Sequence, residues 1–400
     1  MLEFKDREKV KTGMNEYVKC KVIIPELGTN NIFAGNFFVM DDIITIWIDY
    51  SKTMKEKDRL LKLLSGNNPF TMNLIDSSEC WYTCFSCFSL TANEQLERHA
   101  FDCIKIFCNS WIEKVNLKSL SDKFAKSVKI TYPYTEPLFR GCNKEYLYVI
   151  NKNISIQFKQ VELQYLDFKN RITSNDCSFY LHFKEKSDLT LISRIEKIIW
   201  LFIRFTSNIQ IPRGVIKIID DKTLNECQVH YRYEGRTIKE YANFKEYCNE
   251  PIKLYNILLD KQIIKNWFDF CKQYYHVMTM FSRCMDKTTL IDERIAHYIQ
   301  IFDSLTNKRN NKEHLQQRLS KAIRALSHVN LDKYNSEVLK ACRVAFSHLE
   351  KKSFDIIDKE LTLSNVKGYE CLAENLVRIE ILKKINYKDI DSYRNSLVIC

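Results

Sequence analysis

The stretch RVAFSH, residues 343–348, carries an arginine and a histidine with four residues between them. A guanidinium stays cationic and offers a planar fork of donors that matches phosphate oxygens. An imidazole titrates near neutrality and can take up or give back a proton. The surroundings fit the same chemistry. Residues 308–352 hold eleven Lys or Arg against four acids, so much of the net charge of +11 is concentrated there. A solvated helical face explains many such runs. Around Arg343 and His348 the excess instead suits a polyanion. His328 follows Arg324 with only three residues between them and is set aside.

These residues sit in SEVLKACRVAFSHLEKK, residues 336–352, a pattern with helical spacing. Val338, Leu339, Cys342, Ala345, Phe346 and Leu349 form its apolar stripe. Arg343 and His348 flank that stripe on opposite edges, about 140° apart at 100° per residue. One ideal helix does not aim both at one point. A second copy packed through the same stripe would bring them together, and a symmetric dimer does this without extra sequence.

The elements that must hold this helix divide the chain in two. Residues 1–250 read mainly as strand: EYVKCKVII (16–24), GNFFVMDDIITIWIDY (35–50), FDCIKIFCNSW (101–111), DFKNRITSNDCSFYLHFK (167–184) and GVIKIID (214–220) alternate or are β-branched and aromatic. One helix interrupts them, SDLTLISRIEKIIWLFIRFTSN, with Ser187 or Asp188 as its cap. From about residue 253 the period changes to that of helices. Five runs across 251–400 predict a bundle of four or five helices. The expected fold class is therefore α+β: a β-rich N-terminal domain (1–250) followed by an all-α bundle (251–400).

Arg-x4-His near the end of a small helical bundle resembles the signature of HEPN domains. DERIAHYIQIFDSL is similar to the first conserved helix of ApeA-like HEPN proteins, with Asp303 where that family usually has a glutamate. GNFFVMDDIITIWIDY, NPFTMNLID, CIKIFCNSWIEK and RIEKIIWLFIRFTSNIQIP are similar to the ApeA N-terminal domain. Val344 stands where the family often has a polar residue. The resemblance implies a ribonuclease that works without metal, as a homodimer through the HEPN bundle or a higher oligomer. It implies abortive-infection defence against phage, with transfer RNA as the substrate class and a phage-borne trigger. RNA carries its own nucleophile, the 2′-hydroxyl. His348 would move protons and Arg343 would stabilise the crowded phosphate. The products would be a 2′,3′-cyclic phosphate and a 5′-hydroxyl. Lys340, Ser347, Asp303 and Lys351 are the candidate supporting or RNA-binding residues. The alternative is a non-catalytic HEPN-like module that docks RNA or protein, with Arg343 and His348 structural.

A second constellation lies in CWYTCFSCFSLTANEQLERHAFDC. Cys80, Cys84 and Cys87 resemble a radical SAM cluster motif, but Ser86 stands where that family has an aromatic residue. Cys84, Cys87, His99 and Cys103 have zinc-finger-like spacing, which predicts a structural zinc site in an insert spanning 80–108. Against it, strand alternation would point Cys84 and Cys87 to opposite faces unless a turn falls between them. The competing expectation is a hairpin with buried cysteines.

Composition bounds the remaining classes. Eight Gly and six Pro argue against glycine-rich phosphate loops and long flexible linkers. The start MLEFKDREKVK shows no secretory signal, and IIWLFI (198–203) is too short to cross a bilayer. A cytoplasmic protein without membrane contact is expected, its 15 cysteines reduced and acting as small apolar fillers.

Overall fold

The alternating run VKCKVI forms strand β1 (Val18–Ile23), with Val18, Cys20 and Val22 buried and Lys19 and Lys21 exposed. The computed structural model describes residues 18–28, 32–40, 43–49, 63, 70–89, 103–113, 122–132, 145–166, 171–207, 211, 213–219, 226–231, 260–285, 289–307, 313–326 and 333–397. It has a β-rich N-terminal region and a helical C-terminal region, an α+β chain. By packing the chain divides into two units that interleave in sequence. The first comprises Met1–Pro133, Asn151–Lys197 and Pro212–Glu240; the second comprises Tyr134–Ile150, Ile198–Ile211 and Tyr241–Cys400.

In the first unit, the run 35–50 is divided between two antiparallel strands, β2 (Ile32–Met40) and β3 (Ile43–Asp49). With β4 (Phe70–Asp76), β5 (Trp81–Ser89) and β6 (Cys103–Glu113) they follow the order β3-β2-β1-β4-β5-β6, and β6 returns to β3. Closure leaves this six-stranded antiparallel barrel without a free edge. Val22, Phe37, Ile46, Met72 and Leu74 fill its interior. The far end of β6, Ser110–Ile112, pairs with β12 (Glu226–Tyr231). There an open antiparallel sheet begins and runs through β11 (Val215–Ile219), β7 (Ala125–Thr131), β10 (Arg171–Ser187) and β9 (Ile154–Leu166).

Strand β8 (Tyr146–Asn151) precedes β9 in the chain. Helix α1 (Leu189–Ser207) follows β10, and Asp188 accepts the Leu191 amide at 2.8 Å as its cap. Within the first unit, Glu196 of this helix is buried and accepts from Arg213 Nε at 2.7 Å and from the Gly214 amide at 2.9 Å. Gly214 is needed there: a Cβ would lie 2.5 Å from Ile130 Cγ2.

The second unit contains eight helices among the described residues after 260, not four or five. They are α2 (Lys261–Gln273), α3 (Tyr275–Met285), α4 (Ile291–Thr306), α5 (Leu315–Arg324), α6 (Ser336–His348), α7 (Lys351–Glu360), α8 (Val366–Lys384) and α9 (Ile390–Ser396). The run NWFDFCKQYYHVMTMFSRCM breaks at Tyr274, whose backbone leaves the helical region. The tail of SEVLKACRVAFSHLEKK belongs to α7, because Leu349 turns left-handed. Helix α4 packs against α3, α6 and α8, and α6 also packs against α5 and α7. Among the described residues, no helix is long and apolar enough to cross a membrane.

Candidate functional site

Asn335 caps α6 by accepting the Glu337 amide at 2.8 Å, and its own amide donates to Tyr369 Oη at 3.0 Å. Val338, Leu339, Cys342 and Ala345 are buried, as the stripe requires. Arg343, at the edge of that stripe, reaches across to α4, where its Nη2 lies 2.9 Å from Asp303 Oδ2. The two residues named from the HEPN resemblance on separate helices thus meet. Their helical phases place both on the α4–α6 contact.

A third residue joins them that the sequence reading did not single out. Arg318 of α5 donates from Nη2 to Asp303 Oδ1 at 2.6 Å and from Nη1 to Thr306 Oγ1 at 2.6 Å. Its side chain is only 7% exposed, against 27% for Arg343. A partial signal was available: Arg318 lies three residues after Leu315 and four before Ala322, so it borders the apolar stripe of α5. The Nε atoms of both arginines are buried without an acceptor.

His348 is the last residue of α6 and is exposed. Its ring has no hydrogen-bond partner among the described residues and does not pair with Arg343, in keeping with their angular separation. The apolar stripe does not end in the core. Phe346 is 38% exposed, edge-on to Phe354 of α7 at 6.2 Å, and Leu349 is 78% exposed. Leu349 also holds a φ of 53°, a position where glycine is the ordinary helix terminator. A β-carbon there costs about 1 kcal/mol. Leu349→Gly is therefore expected to stabilise the monomer by roughly 1 kcal/mol in urea unfolding, while weakening any self-association through this face, as read by sedimentation.

The described part of the basic window resolves into three populations, one of them Lys321, which is exposed and paired with Glu313. Arg318 and Arg343 are spent on Asp303. Arg324, Lys333, Lys340, Lys351 and Lys352 are exposed and have no ion-pair partner among the described residues. Ser347 is exposed as well. Lys340 and Lys351 thus flank the Arg343–His348 segment, and Ser347 lies within it, all as solvent-facing groups.

Of the cysteine constellation, the described residues include strand positions of β5 and β6. β5 and β6 are neighbouring antiparallel strands, so 81–89 and 103–108 are barrel wall. Cys84 and Cys87 both face the barrel core. The expected alternation fails because β5 bulges against β4: Phe70 pairs with Cys87 and Met72 with Cys84, leaving one extra residue on β5. Cys87 Sγ lies 3.5 Å from the Cys84 carbonyl. The backbone of Cys103 pairs with Asp49, and His99 lies outside the described residues. Among the described residues, no group of three or more His, Cys, Asp or Glu could hold a metal ion.

In the second unit, Cys271, Cys284 and Cys342 are buried, whereas Cys371 is half-buried. Burial pushes Cys284 and Cys342 up to about 12 and raises Cys271 as well. Folded-state values above the ordinary 9.0 favour the folded form below about pH 9 and withdraw that support as pH climbs toward 12. Native protein at pH 8 is expected to leave these three thiols unlabelled by maleimide, with labelling complete in urea. The urea midpoint should fall between pH 8 and pH 10.

No protein-family model matches the chain, and neither the curated proteins nor the solved structures give a match.

Proposed function

We propose that this chain is a metal-independent endoribonuclease of the HEPN type. It cleaves cellular RNA, with transfer RNA as the substrate class, in abortive-infection defence against phage in the cytoplasm. The observation that carries this reading is the pairing of Asp303 with Arg343 across α4 and α6, with His348 exposed five residues on along the same helix. A carboxylate that orients a guanidinium leaves the cation's remaining donors for phosphate oxygens. An exposed imidazole brought to it from a second copy can move the protons of 2′-hydroxyl attack. Exposed lysines supply sequence-independent attraction to the backbone. Exposed Phe346 and Leu349 give a second copy something to cover, and a two-fold contact there sets the Arg343 of one copy near the His348 of the other.

The test is purified protein on total RNA in EDTA. Fragments ending in 2′,3′-cyclic phosphate and starting in 5′-hydroxyl support the reading. A requirement for Mg²⁺ removes it. A second reading draws on the same ion pair: an Arg343 held by Asp303 is also what a purely structural arginine looks like. A bundle of that kind would bind RNA or a protein and leave RNA whole.

A further inference from the structure

The cluster on α4, α5 and α6 contains more cation than its supposed task needs. Each oxygen of Asp303 takes one guanidinium: Oδ1 takes Arg318 at 2.6 Å and Oδ2 takes Arg343 at 2.9 Å. Among the described residues, neither arginine pairs with a second carboxylate. The cluster therefore holds two positive charges and one negative. The surplus is confined by burial, since Asp303 and Arg318 are largely removed from water. Arg343 is the member that reaches solvent. Donor counting agrees, because the Nε groups of both arginines are buried without an acceptor.

We propose that Arg318 is a positioning residue that keeps the Asp303–Arg343 pair from being net neutral. It does so by sharing Asp303, so that Arg343 presents net charge to a polynucleotide phosphate. This rests on the reading of the α6 face as an RNA site and names the residue that sets its charge. Without Arg318, the Asp303 carboxylate belongs to Arg343 alone, and the pair is neutral. Arg318 acts through Asp303 and touches no substrate itself. Its neutral replacement and the neutral replacement of Asp303 must therefore have opposite effects on the charge that the nucleic acid meets. A brace that merely holds α5 to α4 would show no such opposition.

The experiment measures binding of a single-stranded oligonucleotide, made uncleavable by 2′-deoxy substitution, against salt concentration. Four full-length proteins are compared: wild type, Arg318→Gln, Asp303→Asn and the double variant. Each charge neutralised at a phosphate contributes about 0.7 to the slope of log K against log salt for single strands. The expected slope is shallower than wild type by about 0.7 in Arg318→Gln and steeper by about 0.7 in Asp303→Asn. In the double variant it returns to the wild-type value, because its net charge does. If Arg318→Gln fails to fold, the steepening in Asp303→Asn carries the same comparison. Equal slopes in all folded proteins overturn the role of Arg318 while leaving the nuclease reading to its cleavage assay. A wild-type protein that binds no oligonucleotide removes both.

Discussion

His348→Ala protein is expected to leave RNA whole at concentrations where wild type cuts it, with the single-turnover rate down about 10²- to 10⁴-fold. That factor is about 3 to 5 kcal/mol of transition-state stabilisation. The prediction follows from position. His348 ends α6, is exposed, and has no hydrogen-bond partner among the described residues, so the fold asks nothing of its ring. Substitution at such a surface site changes stability by less than about 0.5 kcal/mol. Melting temperature and RNA binding should therefore match wild type while cleavage disappears. That split separates a catalytic group from a structural one. Arg343→Ala would not separate them as cleanly, because it also strips Asp303 of a partner. EDTA should change neither protein. Cleavage at an undiminished rate in His348→Ala would remove the imidazole from the mechanism.

How much of this was legible in the sequence depended on whether the signal was local. The period of SEVLKACRVAFSH places Cys342 and Ala345 in the core and Arg343 at its edge, and the structure has them there. The helix at 189–207 and the strands around 18–23, 103–113 and 215–219 were equally readable, since their alternation or helical spacing is strong. What failed was long-range or backbone-specific. Nothing in GNFFVMDDIITIWIDY announces that β3 will pair with β6 and close a barrel. The bulge in β5 is set by its neighbour β4, so Cys84 and Cys87 could be assigned to opposite faces on sound local grounds and still share one core. Leu349 ends α6 without the glycine or proline that marks most helix ends, which hid the boundary with α7. Arg318 was hidden by its own charge: in a window of eleven cations it read as one more solvated residue. Its place beside the apolar stripe, next to Leu315 and Ala322, was the sign that it is buried.

The same logic of a buried cation gives the largest expected loss of stability. Helix α8 is buried nearly all round, and Arg378 lies on it with a side chain 1% exposed. Its Nε and Nη2 donate to Glu374 Oε1 at 2.9 and 2.7 Å, its Nη1 donates to the Phe205 carbonyl, and the Phe205 and Phe281 rings face it at 5.4 and 5.2 Å. Burial alone would make this guanidinium easier to deprotonate, but Glu374, together with Tyr393 and Tyr298, more than offsets that and raises its pKa instead. Glu374→Ala removes the offset and leaves the charge uncompensated among aromatic rings. The expected cost is about 3 to 5 kcal/mol, a fall in melting temperature on the order of 10 °C. Replacing both partners, Glu374→Leu with Arg378→Met, should cost less than either single change. The charge then goes with its partner, and the Phe205 carbonyl that loses its donor costs about 1 to 3 kcal/mol. Urea unfolding of the four proteins measures this directly, and a Glu374→Ala protein that melts with wild type would show the pair to be idle. The loss reaches the site because α8 packs on α4, and α4 carries Asp303. A bundle loosened at Arg378 should lose the alignment of Asp303 with Arg343 before it unfolds. Cleavage by Glu374→Ala is therefore expected to fail at a lower temperature than its helicity does, whereas in the double variant the two should fail together.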